Sequence, residues 1–122
     1  MTDVQTAKVV GFVSLSASQI ERAFLSKSHQ RNQPDPIPVT LLGQLAVDRA
    51  WQGRGYADSL VQFAMRAALK AAENVGSFGV VTHPIDDALR AYYARWNFSD
   101  LPFDPKRAMI VRMADIERTL LS

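Results

Sequence analysis

LAVDRAWQGRGYADSL, residues 45–60, joins an apolar segment to a helix-like pattern through a turn that contains two glycines. From Gln52 to Ala57, where the helix is about to begin, there is no acidic residue. The first N–H groups of a helix lack intrahelical partners and together carry about half a positive charge. Because glycine lets an anion approach these groups and an acid would compete with it, the stretch predicts a phosphate site. The same glycine spacing is also that of an ordinary tight turn.

The segments around this turn predict an α/β domain. Apolar and β-branched runs indicate strands at residues 8–17, 39–47, 78–83, 98–101 and 108–113. Polar residues recur at every fourth position from Arg54 to Asn74, which indicates an amphipathic helix that ends at Gly76. Further helices are expected from Asp86 or Asp87 through Trp96 and over residues 114–121. The central strands, 39–47 and 78–83, are expected to be parallel, with the long helix as their crossover.

Length and composition restrict the possible function classes. At 122 residues the chain is expected to form one domain over residues 1–122. It contains no long apolar run and no leader-like N-terminus, so we expect no membrane contact and a cytoplasmic location. With no cysteine and only His29 and His83, a metal site is not expected. A net charge of +2 permits a polyanionic partner without requiring one.

The glycine turn resembles the acetyl-CoA-binding segment of the GNAT N-acetyltransferases. The family signature [QR]-x-x-G-x-[GA] is matched by Gln52, Gly55 and Ala57. The later segments FGVVTH and AYYARWNF also resemble that family. Residues 8–121 are similar, more narrowly, to GNAT toxins of bacterial toxin–antitoxin modules. Those toxins acetylate the α-amine of aminoacyl-tRNA and are neutralised by a ribbon-helix-helix antitoxin.

The resemblance implies roles for individual residues. Tyr93 matches the tyrosine that protonates the departing CoA thiolate, although Tyr92 and Tyr93 could both simply pack their helix. The Val47 N–H would polarise the thioester carbonyl, and backbone groups of the same strand would pair with the pantetheine arm. The residues expected to bind acetyl-CoA are Leu45, Ala46, Val47, Gln52, Gly53, Arg54, Gly55, Tyr56 and Ala57.

The acceptor side is less well specified. His83 follows a parallel strand and matches a histidine of the toxins, but it also suits a structural role. The basic residues that could contact tRNA phosphates, or simply be solvated, are Arg22, Lys27, Arg31, Lys106 and Arg107. No general base is evident, which is easier to reconcile with an α-amine, whose pKa is about 7.7–8.0, than with lysine.

The resemblance also implies missing elements. The usual first strand, helices 1 and 2 and strand 2 of the GNAT fold have no counterpart before residue 8. The apolar composition of the strand at 8–17 indicates that it is internal or covered. Without strand 2 its outer edge would be open, so we expect a homo-oligomer such as a dimer. Two alternatives stay open: a GNAT enzyme acting on a small amine or a protein N-terminus, and a non-catalytic remnant that binds acetyl-CoA or an antitoxin.

Overall fold

The computed structural model of the chain describes residues 2–3, 8–9, 11–47 and 56–121. Its strands are β1 (Thr2–Asp3), β2 (Lys8–Val9), β3 (Gly11–Ile20), β4 (Ile37–Val47), β5 (Gly79–Thr82), β6 (Ser99–Asp100) and β7 (Met109–Arg112). Its helices are α1 (Lys27–Gln30), α2 (Tyr56–Val75), α3 (Asp87–Ala94) and α4 (Met113–Leu121), with a 3₁₀ turn at Arg22–Phe24. None of the helices in the described ranges is long and apolar enough to cross a membrane.

Five strands form one mixed sheet in the order β3-β4-β5-β7-β6, and β1 pairs separately with β2. β4 and β5 are parallel, whereas the other neighbours in the sheet are antiparallel. The predicted parallel pair with α2 between its strands in the chain is therefore confirmed.

The core lies on both faces of β5, whose residues are all buried. Val80 belongs to the cluster under α2, α3 and α4, whereas its neighbour Val81 belongs to the cluster on the opposite face. Successive strand residues point to opposite faces, so a central strand covered on both faces needs apolar side chains on both, as Val80 and Val81 provide. The other members of the first cluster are Leu42, Val61, Ala64, Met65, Ala68, Tyr93, Phe98, Met109, Val111 and Ile116.

The helix boundaries follow the sequence signals. The backbone of Gly76 adopts φ +69° after α2, and its N–H donates to the Ala72 carbonyl. The Asp86 side chain accepts from the Leu89 N–H at 2.7 Å and so caps α3. Asn97 takes the left-handed conformation, φ 70°, which places Phe98 back against Tyr93. The stop at Gly76, the Asp86 cap and the turn at Asn97 are thereby confirmed.

β3 is not an internal strand of the sheet, which was one of the two positions that its composition indicated. It is the edge strand, and among its described side chains those of Ser14 and of residues 16–19 are exposed. In the described part of the chain no strand pairs with the outer edge of β3, as expected.

One irregularity in β4 was not predicted. Ser14 pairs with Gln44 but Leu15 pairs with Leu42, so Gly43 has no residue opposite it in β3. This is a β-bulge, in which one extra residue bends the strand and increases its twist.

Candidate active site

β4 and β5 stop pairing where the site would lie. Their last pair is Leu42 with Thr82, and β4 continues to Val47 along β3 alone. On the β5 side, residues 43–47 therefore have no described strand partner. The bulge at Gly43 marks the start of this divergence, and ligands of open α/β sheets bind at such carboxyl ends of parallel strands.

Tyr93 lies beneath this divergence. Helix α3 presents it to the core, where it is 2 % exposed and packs on the Phe98 ring at 5.2 Å between centroids. Its hydroxyl is hydrogen-bonded to Thr82, whose own hydroxyl donates to the Leu42 carbonyl at 3.1 Å. Burial raises the pKa of Tyr93 above its ordinary value, so the phenol keeps its proton at neutral pH.

Tyr92 connects α3 to the start of α2. Its hydroxyl donates to a carboxylate oxygen of Asp58 at 2.7 Å and also bonds the Trp96 side chain. Its ring packs edge-on against Tyr93 at 5.7 Å, and the guanidinium of Arg95 lies 5.5 Å from its centre. Burial and then the bond to Asp58 raise the pKa of Tyr92, which keeps its proton in place.

The acid-free stretch from Gln52 to Ala57 is followed directly by an acidic residue, Asp58. Helix α2 starts at Tyr56, so Asp58 falls in its first turn. An acid there is favourable to the helix because it faces the positive end of the helix dipole.

His83 lies on the other face of the sheet from Tyr93. It is exposed and lines a cavity of about 430 Å³ together with Leu41, Val81 and Lys106. The structure therefore brings two of the predicted acceptor-side residues, His83 and Lys106, to one cavity.

Asp104 builds the turn that carries Lys106. This buried carboxylate accepts from the Lys106 N–H at 2.9 Å and from the Ala108 N–H at 3.0 Å. The turn closes with Arg107 at φ 55°, a left-handed conformation that non-glycine residues seldom adopt. Two charge-assisted bonds hold that conformation.

The remaining basic residues are dispersed. Arg31 follows α1 and Lys27 begins it, and both are exposed. Arg22 is bound into its own segment, since its guanidinium donates to the Gln33 carbonyl at 3.1 Å. Arg107 is exposed, and Arg90 donates to its carbonyl at 2.8 Å. Arg22 is thus the member of this set with a structural use.

The predicted phosphate turn can be followed only at its borders. Gln52, Gly53, Arg54 and Gly55 lie outside the described residues. The backbone of Leu45, Ala46 and Val47 belongs to β4, and that of Tyr56 and Ala57 begins α2. Within the described ranges, no three histidine, aspartate or glutamate side chains are grouped as metal ligands.

Sequence reasoning missed several residues of the site. The isolated Gly43 inside a strand pattern is a known sign of a bulge, and Asp104 before Pro105 is a common turn initiator. The contacts of Thr82 with Tyr93 and of Asp58 with Tyr92 join residues far apart in the chain, and no local signal identifies them.

A family model and a curated toxin both match the sequence of this chain. A family model described as an acetyltransferase (GNAT) domain matches residues 3–100. A tRNA-acetylating toxin of Mycobacterium tuberculosis (strain ATCC 25618 / H37Rv) is 38% identical over 104 residues, which are 85% of this chain and 63% of that protein. The chain thus spans less than two thirds of the length of this curated relative.

Solved structures agree in fold. AtaT complexed with acetyl-methionyl-tRNAfMet matches with a TM-score of 0.86 and 33% identity over 93% of this chain and 68% of that one. A tyrosine-to-phenylalanine mutant of AtaT, bound to the C-terminus of the antitoxin AtaR and acetyl-CoA, matches with a TM-score of 0.76. Its identity is 26%, and the match covers 93% of this chain and 64% of that one.

Proposed function

Because the chain belongs to the GNAT acetyltransferase domain family, we propose that it moves an acetyl group from acetyl-CoA to a primary amine, the α-amine of aminoacyl-tRNA. The observation that carries the proposal is Tyr93, held with its phenol protonated where β4 and β5 diverge. The likeness to tRNA-acetylating toxins supports the choice of acceptor.

The donor would lie along the free side of β4. Backbone groups of Leu45, Ala46 and Val47 would bond the pantetheine arm as a neighbouring strand would, and the residues from Gln52 to Ala57 would bind the pyrophosphate. The Val47 N–H would donate to the thioester carbonyl oxygen and stabilise the negative charge that develops there.

Transfer would need one nucleophile and one acid. The neutral α-amine attacks the thioester carbonyl carbon, the carbon–sulfur bond breaks, and the amide forms. The thiolate takes the proton of the Tyr93 hydroxyl, which solvent restores, and the amine releases its extra proton to solvent. An α-amine with a pKa of about 7.7–8.0 is partly neutral at physiological pH, so no strong base is required.

The acceptor would enter from the cavity face. His83 would contact the aminoacyl end, and Arg31, Lys106 and Arg107 would contact tRNA phosphates. Solved relatives bound to tRNA and to the antitoxin AtaR favour both kinds of partner for this chain. A ribbon-helix-helix antitoxin, self-association along the edge of β3 and a cytoplasmic location remain parts of this proposal.

The test is transfer of labelled acetyl from acetyl-CoA to bulk charged tRNA, run beside uncharged tRNA and a Tyr93→Phe variant. The variant should lose roughly 100-fold or more in kcat, as expected when a general acid is removed, while its affinity for acetyl-CoA is retained. Labelling of free amines without tRNA would instead support a small-amine enzyme. Acetyl-CoA binding with no transfer would indicate a non-catalytic remnant.

A further inference from the structure

Asp58 poses an electrostatic problem for the proposed donor site. It is the third residue of α2, and the proposed pyrophosphate site ends at the second residue, Ala57. Asp58 is one residue, a rise of about 1.5 Å along the helix, beyond the end of the proposed pyrophosphate site. This separation is well within the electrostatic screening length of about 8 Å at physiological salt. An unconstrained carboxylate there would repel the phosphates that the helix terminus attracts.

A hydrogen bond from helix α3 fixes the position of this carboxylate. Tyr92 reaches across from α3 and donates to Asp58 at 2.7 Å. The Tyr92 hydroxyl is itself bonded by the Trp96 side chain, and its ring is packed between Tyr93 and Arg95. Asp58 is therefore fixed on the α3 side of α2 by a group that is anchored on three sides.

We propose that Tyr92 is a positioning residue of the donor site, which orients the Asp58 carboxylate toward α3 and thereby lets an anionic phosphate occupy the N-terminus of α2. This inference rests on the proposed function, because it takes the pyrophosphate of acetyl-CoA as the ligand. Neither Tyr92 nor Asp58 takes part in bond making.

Three variants distinguish the effect of the orientation of the Asp58 carboxylate from the effect of its charge. Tyr92→Phe keeps the ring and removes only the hydroxyl, so it frees the carboxylate. Asp58→Asn keeps an oxygen that accepts from Tyr92 but removes the charge. The double variant has neither the bond nor the charge, and Asp87→Asn, which neutralises an exposed acid in the first turn of α3, is the matched control.

The measurement is the Kd of acetyl-CoA by calorimetry, with a thermal melt of every variant to establish that it is folded. Tyr92→Phe should weaken binding about fivefold, close to 1 kcal/mol, and this loss should shrink at higher salt. Asp58→Asn should bind at least as tightly as the wild type. The double variant should return to the affinity of Asp58→Asn, and Asp87→Asn should equal the wild type.

A second donor shows where on the cofactor the effect acts. S-acetylpantetheine has the thioester but no pyrophosphate, so its kcat/KM should be the same for Tyr92→Phe and the wild type. An equal loss with both donors, or a loss that Asp58→Asn does not rescue, would overturn the proposal in favour of a packing role beside Tyr93. Unchanged acetyl-CoA affinity in Tyr92→Phe would overturn it as well. If the wild type itself fails to bind acetyl-CoA, the proposed function fails and the inference fails with it.

Discussion

Thr82 joins Tyr93 to the last paired residue of β4. Its side chain bonds the Tyr93 hydroxyl and donates to the Leu42 carbonyl, at the register position where Leu42 and Thr82 face each other. The proposed acid is thus located by the sheet as well as by its own helix.

Replacing Thr82 with valine should therefore affect catalysis more than donor binding. Valine keeps the shape but gives Tyr93 no partner, so kcat should fall roughly tenfold, the equivalent of one neutral hydrogen bond. The KM for acetyl-CoA should stay within about twofold, because the phosphate end is untouched.

Thr40→Val is the control for this change. Thr40 is also a buried threonine in the β4–β5 pairing, but it lies in the first pair of these strands rather than the last, and its hydroxyl donates to the Ser77 side chain at 3.0 Å. Urea unfolding should show similar losses of stability in the two variants, with a loss of kcat in Thr82→Val alone. Equal kcat in both would contradict a link between Thr82 and catalysis.

The two tyrosines should make the protein sensitive to alkaline pH. The folded protein raises the pKa of Tyr92 and of Tyr93, in each case first through burial. In the unfolded chain both tyrosine hydroxyls have a pKa of about 10. Above that pH the unfolded state loses protons that the native state keeps, so the free energy of unfolding should fall, whereas below it this contribution is constant.

Urea unfolding from pH 8 to 11 checks this dependence. The free energy of unfolding should begin to fall at about pH 10. The fall should be shallower in Tyr92→Phe and in Tyr93→Phe than in the wild type. Parallel curves for all three proteins would show that these hydroxyls do not cause the decline.

Asp104→Asn should weaken the acceptor side selectively. The carboxylate serves two backbone N–H donors, of Lys106 and Ala108. An amide offers one oxygen, so one buried N–H loses its partner at a cost of about 1–3 kcal/mol. We expect lower stability and a higher KM for charged tRNA, with the Kd of acetyl-CoA unchanged. A loss of acetyl-CoA affinity of the same size would argue against a separate acceptor wall.

Lys106 and Arg107, the two basic residues of the turn built by Asp104, should bind tRNA through salt-dependent contacts. If Lys106 and Arg107 each contact a phosphate, alanine at either position should raise the KM for charged tRNA. The slope of log KM against log salt should fall by about one unit per contact removed. Lys70→Ala, on the exposed face of α2, serves as the control and should leave the slope unchanged.

The elements with strong periodicity were predictable from the sequence. Helix α2 and strand β5 appear within two residues of their predicted limits, because each buries a continuous apolar face. The polar connection of residues 21–36 was harder to predict. Its 3₁₀ turn and short α1 are organised around buried Leu25, which packs on the sheet through contacts distant in the chain.

The residues of the candidate site also differ in whether the sequence alone could identify them. Tyr93 could be proposed from a motif, whereas the groups that orient it could not, since Thr82 precedes it by eleven positions and belongs to a strand. Asp58 is the clearest case: helix rules make it a favourable first-turn acid, and only the fold shows that Tyr92 engages it.

The bulge at Gly43 also makes the length of β4 critical. Without Gly43 the strand would pair with β3 as a regular ladder, with Leu42 still opposite Leu15 and Gln44 still opposite Ser14. The partners in β3 would stay the same, but the bend and the extra twist of the bulge would be lost. Deleting this one residue would therefore reduce the divergence of β4 from β5 and narrow the open side along which the donor is proposed to bind, whereas a substitution elsewhere in the strand leaves the bend in place.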